Sequence, residues 1–167
     1  MKKCLIAYVV ILTSILISDR CLALNFNQVK EINWEINKIS YIPDDKGYGQ
    51  KDYWATPGEM KKNGFGDCED YAISKYFALI ELGVATEQLK ISYVISRVGP
   101  HMVLLYSDEK GTDWVLDNMY SGIYKLSRRT DLKEIYRFNT NGIELGDKTL
   151  SVDKFTQWAN LLARINN

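Results

Sequence analysis

The sequence predicts an α+β fold, and three observations lead there. Apolar residues recur at helical spacing through the first half, the period changes to alternation between Ile91 and Asp117, and helical spacing returns near the C-terminus. Helices that precede a run of strands, with one more helix after it, give α+β order and not βαβ winding. The 167 residues suit one domain with a sizeable core. Hydrophobic content of 46% against 25% charged shows no sign of disorder or collagen-like repeats. A formal charge of zero leaves no electrostatic footprint for nucleic acid.

The N-terminus is read apart from the fold. Lys2 and Lys3 precede an apolar run from Leu5 to Ile17, and Cys21-Leu22-Ala23 offers small residues for cleavage after Ala23. This is the layout of a secretory signal peptide over residues 1–23, with the mature domain over 24–167. An uncleaved anchor is the alternative, although the run is short for a span of roughly 20 residues. A lipoprotein signal at Cys21 is a poorer fit, because Arg20 stands where a small residue is wanted. Cleavage takes Lys2, Lys3, Arg20 and Asp19 from 21 basic and 21 acidic residues, leaving 18 and 20. It also takes Cys4 and Cys21, so Cys68 becomes the one thiol of an exported chain. A lone thiol in an oxidising compartment is a liability unless it is buried or used.

Each element follows from local chemistry. Phe26, Val29, Ile32, Ile36 and Ile39 mark an amphipathic helix over 26–39. Residues 41–50 hold Pro43, Asp44, Asp45, Gly47 and Gly49 and read as a loop. Thr56-Pro57-Gly58-Glu59 carries a cap hydroxyl, a proline at the first helical position and a reciprocal glutamate, so a short helix runs from there to about Gly64. Ala72, Ile73, Tyr76, Phe77 and Ile80 form the buried face of a helix that ends at Gly83. Asp67 is its N-cap, Cys68 falls in its first turn, and Gly64 and Gly66 allow close backbone approach upstream. Alternation at Ile91, Tyr93 and Ile95, then 101–106, then 114–117 after a turn, predicts an antiparallel meander. Residues 123–145 read as one or two more strands. Val152, Phe155, Trp158, Ala159, Leu162 and Ile165 give a C-terminal helix capped by Ser151.

The mature chain holds one cysteine and one histidine, so a Cys–His pair has a single assignment. A nucleophilic cysteine must ionise, and the partial positive charge of a helix N-terminus favours the thiolate of Cys68. A turn centred on Glu109 sets His101 opposite Asp117, with Cβ atoms about 5 Å apart. That spacing lets a carboxylate hold one imidazole nitrogen while the other faces the thiol. A one-residue slip in register would undo the arrangement. Asp67, Glu69 and Asp70 crowd Cys68, and their charge raises a thiol's pKa. They read equally well as oxygen ligands for calcium and as ordinary helix-cap chemistry.

Four motifs carry a resemblance: Asp52-Tyr53-Trp54-Ala55-Thr56-Pro57, Gly66-Asp67-Cys68-Glu69-Asp70-Tyr71-Ala72, His101-Met102-Val103-Leu104 and Val115-Leu116-Asp117-Asn118. Together they make the chain similar to the bacterial transglutaminase-like cysteine proteinases, in particular the LapG-type periplasmic proteases, over roughly residues 30–165. The resemblance implies a papain-like or transglutaminase-like core with Cys68 as nucleophile, His101 as base and acid, and Asp117 as orienting carboxylate. It implies calcium, with Asp67, Glu69 and Asp70 at the positions of the family's acidic ligands. It implies a substrate in the N-terminal region of a large surface adhesin, cut near an alanine pair to control biofilm attachment. It also implies sequestration by an inner-membrane cyclic-di-GMP receptor of LapD type. Two other functions remain open on the residues: a transglutaminase-like acyl transferase with the same triad, and a calcium-dependent binding module with an inert thiol. Trp54 stands either in the cleft, at the receptor contact, or in the core.

Overall fold

The computed structural model of the chain describes residues 25–166; the expected signal peptide, with Cys4 and Cys21, lies outside the described residues. Helix α1 (Phe26–Ile36) starts in a reciprocal cap: the Asn25 side chain accepts the Asn27 amide at 3.0 Å, and Gln28 accepts the Asn25 amide at 2.8 Å. It ends three residues before the predicted Ile39. Asn37 closes it and turns its side chain to the carbonyls of Asp117 and Tyr120, a tertiary use that periodicity does not register.

The predicted loop over 41–50 is more ordered than expected. Strand β1 (Ser40–Tyr41) pairs parallel with β2 (Phe65–Gly66), and a one-turn helix α2 (Asp44–Gly47) follows Pro43. Four residues are too few to show a helical period, so the turn signals masked it. Helix α3 (Pro57–Asn63) matches its cap chemistry: Thr56 Oγ1 accepts the Glu59 amide at 3.2 Å and Glu59 accepts the Thr56 amide at 2.7 Å. Gly64 ends it in the left-handed region at φ 73°, a conformation that costs glycine nothing. Helix α4 (Cys68–Glu81) begins at Asp67 as predicted and buries Tyr71, Ala72, Ile73, Tyr76 and Leu79.

Seven strands form one antiparallel sheet in the order β6-β5-β4-β3-β7-β8-β9. The meander is β3 (Leu89–Ser96), β4 (Gly99–Ser107) and β5 (Asp113–Leu116), with β3 at the centre of the sheet. Residues 123–145 hold three strands in place of the expected one or two, β6 (Tyr124–Lys125), β7 (Lys133–Asn139) and β8 (Gly142–Leu145), and β9 (Lys148–Leu150) follows them. Alternation along β4 and β5 divides the core. Leu104, Tyr106 and Leu116 join α1, α4 and the C-terminal helix through Val29, Ile73, Tyr76, Trp158 and Leu161. Val103, Leu105 and Val115 join Val94, Leu126 and Leu132 in a second cluster.

The C-terminal helix α5 (Thr156–Ile165) starts later than predicted, and Ser151 caps only a preceding 3₁₀ turn, Val152–Lys154, without a side-chain cap bond. Phe155 sets the break. Its backbone is non-helical (φ −117°, ψ 83°) because its ring packs edge-on against Trp54 at 5.2 Å and Phe138 at 5.0 Å.

Candidate active site

Three elements bring the predicted triad together. Cys68 is the first residue of α4, where unpaired amides and the helix dipole place partial positive charge. His101 stands near the start of β4, and Asp117 directly follows β5. His101 Nε2 lies 2.8 Å from Asp117 Oδ1, which leaves Nδ1 as the ring nitrogen available to the thiol. The register that achieves this differs from the predicted one. Leu104 opposes Leu116 and Ser107 opposes Asp113, so the turn is centred one residue later, at Lys110. The ladder therefore offsets His101 and Asp117 by two residues. A two-residue offset keeps side chains on the same face, and diagonal neighbours remain within reach of long side chains.

Asp117 is held from every side. Its Oδ1 also accepts the Met119 amide at 2.9 Å, and its Oδ2 accepts Arg129 Nη2 at 2.9 Å. Asn37 Nδ2 donates to the Asp117 carbonyl at 2.9 Å and ties the loop after β5 to the end of α1. Burial pushes the Asp117 carboxyl up, but His101, the Met119 amide and Arg129 together hold it below its ordinary value. Lys75, fully buried on α4, interacts electrostatically with Asp117; burial brings its amine down to about 7.

Cys68 and His101 line a cleft of about 420 Å³ with Asp52, Trp54, Tyr93 and Tyr136. They also line a second hollow of about 350 Å³ with Tyr41, Val98 and Met119. Cys68 and His101 thus belong to both. Trp54 is core and cleft wall at once: it is 5% exposed, stacks on Phe138 at 5.6 Å, and donates its indole N–H to Asp52 at 3.0 Å.

The acids around Cys68 form a larger group than predicted. Ligand atoms of Asp67, Cys68 and Glu69, of Asp44, Asp67 and Asp70, and of Asp44, Asp52 and Glu69 each lie within 4.8 Å of one another. Asp44 and Asp52 come from α2 and the loop before α3, which the predicted loop gave no reason to aim at Cys68. Asp70 is engaged structurally, since its oxygens accept the amides of Ala55 at 2.7 Å and Asp67 at 3.2 Å. Asp44 Oδ1 and Asp67 Oδ1 are buried with no hydrogen-bond partner. Burial first and mutual repulsion second push Glu69 up to about 9; burial likewise brings Asp70 to about 7 and Asp44 to about 6. Several carboxylates with orphaned buried oxygens are a donor set that fits a hard cation such as calcium. The same acids act on Cys68. Burial and then the charge of Glu69 push the Cys68 thiol up, and its Sγ–H donates to Glu69 Oε2 at 3.1 Å.

Asp44, Asp52, Lys75 and Arg129 were not legible as site residues. Asp52 opens the first of the four motifs and Lys75 shares a helix with Cys68, but no local signal aims either at the triad or its acids; Asp44 and Arg129 lie outside the motifs and arrive through tertiary packing.

Comparison with known proteins places the chain in a family. Residues 18–141 match the family described as bacterial transglutaminase-like cysteine proteinase BTLCP. The EGTA-treated structure of Legionella pneumophila LapG is 36% identical with a TM-score of 0.76, covering 84% of this chain and 78% of that one. The calcium-bound structure of the same protein is 37% identical with a TM-score of 0.73, covering 84% and 80%. No curated protein matches the chain. On this family match, and with an α+β architecture shared with LapG, the chain belongs to the bacterial transglutaminase-like cysteine proteinases and is a cysteine peptidase.

Proposed function

We propose that the protein is an exported, calcium-dependent cysteine endopeptidase that cuts a large surface adhesin, with Cys68, His101 and Asp117 as its catalytic triad. The observation that carries the triad is the 2.8 Å His101–Asp117 bond beside a cleft that both His101 and Cys68 line. In acylation the Cys68 sulfur attacks the scissile carbonyl carbon while His101 takes the thiol proton. His101 then passes that proton to the amine nitrogen as the C–N bond breaks, leaving a thioester on Cys68. Water attacks the thioester, His101 takes its proton, and the thiolate departs as the acid product forms. Asp117 orients the imidazole and stabilises its charged form throughout. The Cys68 amide at the start of α4 is an oxyanion donor.

Calcium is supported by the calcium-bound LapG structure and by the orphaned oxygens of Asp44 and Asp67. Asp67, Glu69, Asp44 and Asp52 would hold it, while Asp70 orders the turn that presents Asp67. When bound, the ion supplies positive charge beside Cys68 and offsets the carboxylates that otherwise disfavour its thiolate.

The resemblance to LapG-type proteases supports the finer reading: cleavage near an alanine pair in the N-terminal region of an adhesin, periplasmic location through the signal at residues 1–23, and sequestration by a cyclic-di-GMP receptor of LapD type. The test is incubation of the mature protein with a co-encoded adhesin fragment, with mass spectrometry of the products. Cut ends that disappear in Cys68→Ala are expected. Intact fragment with the wild type, or cross-linked chains in place of cut ends, would overturn the endopeptidase reading.

A further inference from the structure

The triad does not end at Asp117. Arg129 follows a 3₁₀ turn, Leu126–Arg128, and its backbone is pinned on both sides: its amide donates to Leu126 at 2.9 Å, and its carbonyl accepts the Leu132 amide at 3.1 Å. Its side chain is 6% exposed. Nη2 donates to Asp117 Oδ2 at 2.9 Å and to Asp131 Oδ2 at 2.9 Å, and Nε donates to Asp131 Oδ1 at 3.0 Å. The guanidinium also lies 4.4 Å from the centre of the Tyr120 ring. A flexible side chain held by a bidentate carboxylate, an aromatic face and a fixed backbone has one conformation. That conformation aims one N–H at the Asp117 oxygen that His101 does not use.

We propose that Arg129 is a positioning residue for the peptidase reaction: clamped by Asp131, it keeps Asp117 ionised and directed at His101. The inference rests on the triad proposed above. Asp117 is almost fully buried, and an isolated buried carboxylate prefers to be neutral. A neutral Asp117 would neither fix the imidazole tautomer nor stabilise the imidazolium. The groups facing Asp117 are His101 from β4, Arg129 from the loop before β7, and Lys75 from α4. Lys75 Nζ has no hydrogen-bond partner, so it contributes field and not direction. Arg129 is the cation that both charges and orients. With His101 protonated, the array His101–Asp117–Arg129–Asp131 is neutral overall, which suits a buried site.

The test compares wild type, Arg129→Ala, Arg129→Lys and Asp131→Asn by peptide cleavage and by the rate at which iodoacetamide alkylates Cys68, each against pH with calcium present. Arg129→Ala should lower kcat about 10- to 100-fold, the range in which orienting partners act, with KM little changed. Its acid limb should move to higher pH by about one unit, the smaller end of what a neighbouring opposite charge confers. Arg129→Lys should recover part of the rate, and Asp131→Asn should show a smaller fall in the same direction. If Arg129→Ala does not fold by circular dichroism, Arg129→Gln takes its place under the same criteria. A folded variant with wild-type kcat, or one whose lost activity leaves the pH profile unmoved and lysine without effect, would overturn the proposal. Alkylation needs no peptide, so the two readings separate: a wild-type Cys68 no more reactive than a free thiol would overturn the triad itself.

Discussion

His101 Nε2 and Asp117 Oδ1 are 2.8 Å apart, with the two residues 5% and 1% exposed, although the β4–β5 ladder does not pair them. Because water does not compete for this bond, the carboxylate decides which imidazole nitrogen carries the proton. Asp117→Asn keeps the volume and an acceptor for Arg129, but offers an N–H to Nε2 and favours the wrong tautomer. It should cost about 10³- to 10⁴-fold in kcat, with a melting temperature close to wild type. Activity within tenfold of wild type would remove Asp117 from the mechanism.

Chelation and pH act on the same acids. Glu69, Asp70 and Asp44 titrate in the folded protein at about 9, 7 and 6, all above their ordinary values. A carboxyl whose folded value is raised binds its proton more tightly when folded, so it favours folding most at low pH and loses that contribution as pH rises. In EGTA the melting temperature should therefore fall between pH 5 and pH 7. Added calcium should reverse the fall, by about 2.7 kcal/mol at a hundredfold excess over Kd, because the metal needs the deprotonated ligands. A melting curve in EGTA that rises across this window would contradict the assignment of these groups.

Trp54 makes a stability prediction that separates core from partner contact. Its ring stacks on Phe138 at 5.6 Å and meets Phe155 edge-on at 5.2 Å. Trp54→Ala should destabilise by about 3–5 kcal/mol, read by urea unfolding, and Trp54→Phe by less. A folded, fully stable Trp54→Ala that loses only partner binding would show that the residue serves a surface.

Gly66 is required for close approach. A Cβ built there would meet Asp70 Cβ and Oδ2 at 2.8 Å and Met60 Cε at 3.0 Å. Gly66→Ala should therefore cost about 1–3 kcal/mol by overpacking and displace Asp70 from the amides of Ala55 and Asp67. Since Asp70 orders the turn before Cys68, cleavage activity should fall more than stability. Unchanged activity would show that the Asp70 contacts are dispensable.

Much of this was legible along the chain because it is local. The Thr56–Glu59 cap, Asp67 ahead of α4 and Cys68 in its first turn depend on neighbours three or four residues away, and each appears where cap chemistry predicts. The one histidine and the one described cysteine reduced the pair to a single choice. The turn of the hairpin is centred one residue later than alternation alone predicts. The face nevertheless came out right, because the displacement moves partners by two and the pleat repeats every two residues.

What the sequence by itself determined is the placement of Cys68 at a helix N-terminus and the order of helices and strands, both set by short-range caps and periodicity. The tertiary structure alone decided what surrounds Cys68, His101 and Asp117. Arg129 reaches Asp117 from twelve residues further along the chain, and Asp44 approaches Asp67 across the β1–β2 pair. Such contacts depend on how distant segments pack. No local propensity encodes them, so the Asp117 clamp and the full acidic cluster became visible only once the chain was folded.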